Sequence, residues 1–117
     1  MKLKKHLEKA ERLDSIQMNM DPDTEWEIIV ETVYGAVMNY IAYFCEKKLG
    51  THLNTHKGLA KFLDENNLTK IAILFRELDI HRQGKWYGAQ GNGETVKRVR
   101  AILDSIKSEC AIVEQKR

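Results

Sequence analysis

The sequence predicts an all-α protein, an antiparallel up-and-down bundle of about five helices. Apolar residues recur at steps of three and four along most of the 117 residues, and no stretch alternates as a strand does. The single proline argues against a turn-rich β-sandwich. With 43% hydrophobic and 31% charged residues, the chain has the composition of one folded domain, which we assign to residues 1–117.

The first helix is predicted over residues 2–20. Apolar side chains recur there at helical spacing, with lysine and glutamate between them, so one face is apolar and the other is charged. Pro22 ends this helix, because proline cannot continue a helix and disfavours the helical conformation at the preceding residue, Asp21. The segment is therefore predicted to be one amphipathic helix.

A second, longer helix is predicted to run to Leu49, with Thr24 or Asp23 as its N-cap. Gly50 follows it as the expected left-handed stop. This helix is apolar nearly all round, and one small domain cannot cover every face of such a helix. We therefore expect a homodimer that buries the surplus face.

Three further helices complete the predicted bundle. A short helix is expected over 59–65 and another, capped by Thr69, from there to about His81. Glycines then interrupt the periodicity up to Gly93. The last helix is expected to begin at Gly93 or Glu94 and to extend through Val113.

Charge and cysteine usage point to a cytoplasmic protein. The net charge is only +2, so no global field indicates a nucleic-acid or membrane partner. Cys45 and Cys110 lie far apart in predicted helices and are interpreted as reduced, buried residues. The N-terminus has no secretory apolar segment, and Glu31 and Asn39 interrupt the most apolar stretch. We predict no membrane association.

The local charge is most informative between residues 80 and 93, a span without an acid. Arg82, Lys85, Trp86 and Tyr87 place cations beside aromatic rings there. Cations neutralise phosphate and flat rings stack on unpaired bases, so these four residues are candidates for binding single-stranded nucleic acid. In the alternative interpretation the span is a surface loop whose rings pack on the core.

Arg76 and His81 are the candidate catalytic pair. Metal-free RNA cleavage needs proton transfer at the 2′-hydroxyl and leaving oxygen, and positive charge on the pentavalent phosphate, which His and Arg can supply. Five residues on a straight helix separate these side chains by about 140°. They converge if the Arg stem wraps round the helix, if the helix unwinds at 82–84, or if a dimer shares the site. Otherwise Glu77 pairs with His81, and Arg76 pairs with an acid elsewhere.

No metal or other cofactor is predicted. His52 and His56 have the spacing of helical metal ligands, but no Cys or acid stands at partner spacing. The glycine-rich run 88–93 follows a predicted helix, whereas a dinucleotide fingerprint follows a strand. Lys97, Arg98 and Arg100 give the last helix a basic face, which is either solvated surface or an extension of an RNA track.

The segment from Arg76 to His81 has the R-x4-H form of the HEPN superfamily, the higher eukaryotes and prokaryotes nucleotide-binding domains. The order of other features along residues 5–110 also resembles that of small prokaryotic HEPN proteins. These features are the tyrosine-rich stretch 34–44, Gly50, the segment 55–59 and the segment 86–88.

The resemblance implies an up-and-down helical bundle that forms a homodimer, with the motifs of both protomers lining a cleft at the interface. It further implies a metal-independent endoribonuclease of toxin–antitoxin type, paired with a minimal nucleotidyltransferase antitoxin, in which Arg76 and His81 take the ribonuclease positions. Other members have lost catalysis and serve as nucleotide- or substrate-binding partners of such a nucleotidyltransferase.

The chain departs from the family's pattern directly after the motif arginine. Active members often carry Asn, Asp or His there, whereas this chain has Glu77, a carboxylate that can hold Arg or His in an ion pair and repel phosphate. In some toxins of this kind the partner enzyme nucleotidylates a tyrosine just past the motif. Tyr87 lies in that region, and a phosphate added to it would place negative charge beside the cations that attract RNA.

Overall fold

The described part of the chain contains five helices. The computed structural model describes residues 3–50, 58–84 and 93–115. The helices are α1 (Leu3–Met18), α2 (Trp26–Leu49), α3 (Leu59–Glu65), α4 (Thr69–Gly84) and α5 (Gly93–Gln115). No strand occurs within these ranges, so the predicted all-α helical bundle is confirmed.

Side-chain contacts between neighbouring helices establish an up-and-down arrangement. His6 donates to Asn39 at 3.1 Å, whereas the later residue Leu13 approaches the earlier residue Gly35, so α1 and α2 are antiparallel. In the same way, Lys70 pairs with Glu109 at 2.9 Å while the later α4 residue Glu77 pairs with Arg98. The α4 helix is therefore antiparallel to α5.

The core is built around α2, which packs against α1, α4 and α5. Ten of its 24 residues are buried within the chain. The helix is long and apolar enough to cross a membrane by length and composition, but 56% of that apolar window is buried inside this chain. Neighbouring helices of the same chain therefore cover much of the apolar surface of α2. That surface alone no longer supports a homodimer, which stays a prediction.

Both cysteines lie in this core. Cys45 and Cys110 are both buried, and no disulfide joins them. Burial raises the pKa of Cys45 to about 11, because a thiolate would lose its hydration there. The Cys45 thiol therefore stays protonated near neutral pH and acts as an apolar core side chain.

The start of α2 differs from the prediction. Trp26 is the first helical residue, and neither Thr24 nor Asp23 caps the helix with its side chain. Asp21 instead accepts hydrogen bonds from the backbone N–H groups of Asp23 at 2.8 Å and Thr24 at 3.2 Å. Asp21, the first residue of the proline-containing turn, stabilises the turn with these two hydrogen bonds, and α2 begins after it.

The α4 helix is longer than predicted and continues through Gly84. The Asp79 carboxylate explains the extension, because it accepts hydrogen bonds from Arg82 at 3.0 Å and Gln83 at 2.9 Å across the last turn. Side-chain contacts between residues three or four positions apart stabilise a helix. The Arg76–His81 segment therefore lies in the helix interior.

Hydrogen bonds from Lys107 and Arg100 connect α5 to α1. Lys107 donates to Asp14 at 2.8 Å, and Arg100 donates to the side-chain oxygen of the buried Gln17 at 2.8 Å. Arg100, predicted as part of a basic face, thus holds two helices together. Its guanidinium also donates to the backbone carbonyl of Gln17 at 2.7 Å.

Candidate functional site

The outer face of α4 carries two large apolar side chains. Ile73 and Ile80 are 58% and 69% exposed, and their spacing of seven residues places them on one stripe of the helix. At about 100° per residue, Arg76 lies about 60° to one side of Ile73, and His81 lies about 80° to the other. The candidate catalytic residues therefore flank this isoleucine stripe.

Arg76 turns from the stripe towards α3. Its guanidinium donates to the Asp64 carboxylate at 2.5 Å, and the Arg76 side chain remains 49% exposed. The Asp64 partner could not be predicted from local spacing, because the two residues belong to different helices. Arg76 remains at the surface with a carboxylate beside it.

His81 lies on the opposite flank, towards α5. Its Nε2 atom is 3.5 Å from Oε2 of Glu77, one turn earlier on α4, and the imidazole side chain is 29% exposed. The same Oε2 atom accepts a hydrogen bond from Nε of Arg98 at 2.5 Å, and Oε1 accepts one from Nη2 of Arg98 at 2.6 Å. One carboxylate thus contacts both a guanidinium and an imidazole.

The electrostatics of this cluster follow from the Glu77–Arg98 pair. Hydrogen bonding from Arg98 lowers the pKa of Glu77, and desolvation opposes it only in part. Hydrogen bonding to Glu77 and its negative charge raise the pKa of Arg98 in turn. Both groups are charged at neutral pH, so their contact is an ion pair.

Within one chain, the structure does not bring Arg76 and His81 together. The Arg76 stem extends to Asp64 and does not wrap towards His81, and α4 stays helical through Gly84. Two of the three routes by which these residues were expected to converge are therefore not taken. The third route, a site shared by two copies of the chain, stays a prediction.

The predicted nucleic-acid residues have different outcomes. The Arg82 guanidinium lies 4.5 Å from the centroid of the Tyr34 ring and donates to Asp79, so it is engaged by its own chain. Burial alone would lower the pKa of Arg82, but its bond to Asp79 and nearby negative groups raise it overall. Lys85, Trp86 and Tyr87 lie outside the described residues.

No family model, curated protein or solved structure matches this chain. The support for the candidate site is therefore the position and the contacts of its own residues. Among the described residues, no three His, Cys, Asp or Glu side chains are grouped as a metal ion would require, and His52 and His56 lie outside that part of the chain.

The sequence indicates Arg98 only weakly, as part of a basic face of α5. Its pairing with Glu77 depends on how α5 packs on α4. Glu77 was identified as the residue able to hold a cation, and the structure places Arg98 and His81 beside it. The site therefore has two flanks, Arg76 with Asp64 and His81 with Glu77 and Arg98.

Proposed function

We propose that this protein is a cytoplasmic, homodimeric, metal-independent endoribonuclease of toxin–antitoxin type, similar to the HEPN superfamily. The proposal is carried by one observation: Arg76 and His81 flank the exposed isoleucine stripe of α4. A second copy of the chain packed on this stripe would border both residues. In a two-fold dimer the same patch serves both protomers, so Arg76 of one protomer can face His81 of the other.

The chemistry of such a shared site is acid–base catalysis with electrostatic stabilisation. The imidazole of His81 accepts the proton of the ribose 2′-hydroxyl, whose oxygen attacks the adjacent phosphorus as the bond to the 5′-oxygen breaks. A protonated imidazole, once it has accepted that proton, can return one to the leaving oxygen. Arg76 stabilises the charge that develops on the pentavalent phosphate. RNA supplies the nucleophile itself.

Both side chains are partly exposed, Arg76 to 49% and His81 to 29%. An exposed ion pair such as Arg76–Asp64 stabilises a fold by only about 0–1 kcal/mol, so a phosphodiester can replace Asp64 at small cost. A phosphate oxygen also forms charge-assisted hydrogen bonds with guanidinium. Arg76 can therefore exchange its internal partner for substrate.

The first experiment measures cleavage of single-stranded RNA by the purified full chain in the presence of chelator. The wild type should cleave, and Arg76→Ala and His81→Ala should each reduce the rate by about 10²-fold or more. Lys61→Ala removes an exposed cation that pairs only loosely with Glu65, at 3.9 Å, and serves as the matched control. Intact RNA with the wild-type protein would contradict the proposal.

Mixing the two inactive variants tests whether the site is shared. In a mixed dimer of Arg76→Ala and His81→Ala subunits, one composite site contains both wild-type residues and the other contains neither. Random exchange should therefore restore about a quarter of the wild-type activity. No restoration, with mixed dimers present, would place each site within one protomer.

A second candidate function is a non-catalytic partner that binds a minimal nucleotidyltransferase or its nucleotide substrate. The Glu77 contacts favour it, because this carboxylate occupies Arg98 and lies beside the His81 imidazole. A stable complex with a nucleotidyltransferase encoded beside this gene, without RNA cleavage by the purified protein, would support this function over the first.

A further inference from the structure

On the α4–α5 side of the molecule, the Glu77 carboxylate contacts Arg98, a residue outside the Arg76–His81 motif. Glu77 places its Oε2 atom between two groups, the Arg98 guanidinium at 2.5 Å and the His81 imidazole at 3.5 Å. The second carboxylate oxygen bonds to Nη2 of Arg98, so the contact with the guanidinium is bidentate. The Oε2 atom of Glu77 marks a position where an anion is bound by Arg98 and lies beside His81.

A phosphate can occupy the same position as this carboxylate. The guanidinium group presents parallel N–H donors whose spacing matches both carboxylate and phosphate oxygens. A phosphodiester has two non-bridging oxygens, which can replace Oε1 and Oε2 of Glu77 on Arg98. One of them would then lie beside His81, where Oε2 lies now.

The cluster is open to such a ligand. About half of the Arg98 side chain is exposed, and Glu77 and His81 are both partly exposed at the surface. Exposed ion pairs add little stability, because water screens them and two side chains must be ordered. The Glu77 carboxylate can therefore rotate away without loss of the fold.

We propose that Arg98 is a phosphate-binding residue for single-stranded RNA, and that Glu77 occupies its guanidinium until a phosphodiester displaces the carboxylate. RNA as the ligand rests on the proposed function, whereas the competition between Glu77 and phosphate for Arg98 rests on the geometry of the cluster. Glu77 is then an internal competitor of the substrate.

This assignment gives each composite site two guanidinium groups from different protomers. Arg98 and His81 lie on the same flank of one protomer, whereas Arg76 of that protomer lies about 140° away from His81 around α4. In the proposed dimer, Arg76 of the second protomer supplies the opposite side. In this dimer, Arg98 and His81 of one protomer contact the phosphate from one side, and Arg76 of the other protomer contacts it from the opposite side.

The experiment measures the dissociation constant of a fluorescent, single-stranded 2′-O-methyl RNA, which cannot be cleaved because it lacks the free 2′-hydroxyl. The full-length chain is used as wild type, Glu77→Gln, Arg98→Ala and the double variant. Glu77→Gln should tighten binding by about 3- to 10-fold, because the neutral amide no longer competes for Arg98. In the Arg98→Ala background the same change should have no such effect.

Matched controls come from the exposed Lys61–Glu65 pair on α3. Glu65→Gln removes the same negative charge as Glu77→Gln, and Lys61→Ala removes a cation as Arg98→Ala does. Arg98→Lys keeps the charge but loses the bidentate fork, so its affinity should fall between those of wild type and Arg98→Ala. Far-ultraviolet circular dichroism confirms that each variant is folded.

Three results would overturn the inference: an equal gain from Glu65→Gln, a gain from Glu77→Gln that persists without Arg98, or no binding by any variant. The test is separate from that of catalysis, because the 2′-O-methyl RNA reports binding alone. A wild-type protein that does not cleave RNA, but whose affinity rises on Glu77→Gln through Arg98, would refute the ribonuclease function and leave this inference standing.

Discussion

The guanidinium of Arg82 lies 4.5 Å from the centroid of the buried Tyr34 ring and connects the end of α4 to α2. Burial raises the pKa of the Tyr34 phenol, and the negative charge of Asp79 raises it further, so the ring that faces the cation is uncharged. A residue selected from the sequence as a nucleic-acid contact thus also joins two helices of the bundle.

Replacement of Arg82 should therefore lower stability. Arg82→Ala removes both the cation–π contact and the hydrogen bond to Asp79, and we expect a loss of about 1–2 kcal/mol in the free energy of unfolding. Arg82→Lys keeps the charge but not the planar group, so its loss should be smaller. Urea denaturation measures both values, and an unchanged midpoint for Arg82→Ala would contradict the expectation.

The Asp14–Lys107 contact should contribute to stability in a pH-dependent way. Desolvation raises the pKa of Asp14, but hydrogen bonds from Lys107 and Gln17 and the charge of Lys107 outweigh it, so the pKa is lowered below 3.8. The unfolded chain then binds a proton more readily than the folded chain. The stabilisation is complete above about pH 5 and is lost as the pH falls through the lowered value.

Asp14→Asn tests this dependence. The variant should be less stable than wild type by about 1–2 kcal/mol at pH 7, and the difference should shrink as the pH falls below about 5. Lys107→Met should flatten the acid limb in the same way, because it removes the donor at 2.8 Å. Thermal unfolding across this range is the measurement, and a difference that does not depend on pH would refute the assignment to Asp14.

The Leu13 side chain of α1 lies close to α2 at Gly35. A Cβ atom added there would lie 3.1 Å from Cδ1 of Leu13, the end of a half-buried side chain that can shift. Gly35→Ala should raise the free energy of unfolding by up to about 1 kcal/mol, because alanine favours helix over glycine. Gly35→Val should lower it by about 1–3 kcal/mol, because its branched side chain overfills the contact.

Chemical denaturation of both Gly35 variants measures the two effects. Leu13→Ala in the Gly35→Val background should recover part of the loss, because it removes the atom closest to the added Cβ. If Gly35→Ala were as destabilising as Gly35→Val, Leu13 would have to be more rigidly held than its partial exposure implies.

The isoleucine stripe of α4 should mediate dimer formation. Ile73→Glu and Ile80→Glu place a charge on an exposed apolar face, so they should leave the monomer folded and shift the dimer towards monomer by about 10-fold or more in dissociation constant. Ile16→Glu, on an exposed position of α1, is the matched control. Sedimentation velocity measures the assembly, and a monomeric wild type would rule out this interface.

The sequence predicts the number of helices and several of their ends for clear physical reasons. Gly50 stops α2 with a left-handed φ of 70°, a conformation that glycine adopts without strain. The periodicity predicts an end of α4 near His81, whereas the helix continues through Gly84 because Asp79 stabilises its last turn. Side-chain hydrogen bonds within the last turn determine where α4 ends, and the position of the glycine does not predict these bonds.

The candidate site could be predicted in its local part only. Helical spacing alone separates Arg76 from His81 and places Glu77 within reach of His81. The partners from other helices, Asp64 and Arg98, are 12 and 21 residues away in sequence from the residues they bind. Their positions depend on how α3 and α5 pack on α4, which periodicity does not specify.

The short helix α3 gives the Arg76–Asp64 contact a further property. Among the described helices, the backbone of α3 comes close only to that of α4, and a seven-residue helix is too short to persist in water without its neighbour. Local unfolding of α3 would therefore remove the counter-ion of Arg76. Hydrogen exchange of the α3 backbone amides would report how often the Arg76 guanidinium loses its contact with Asp64.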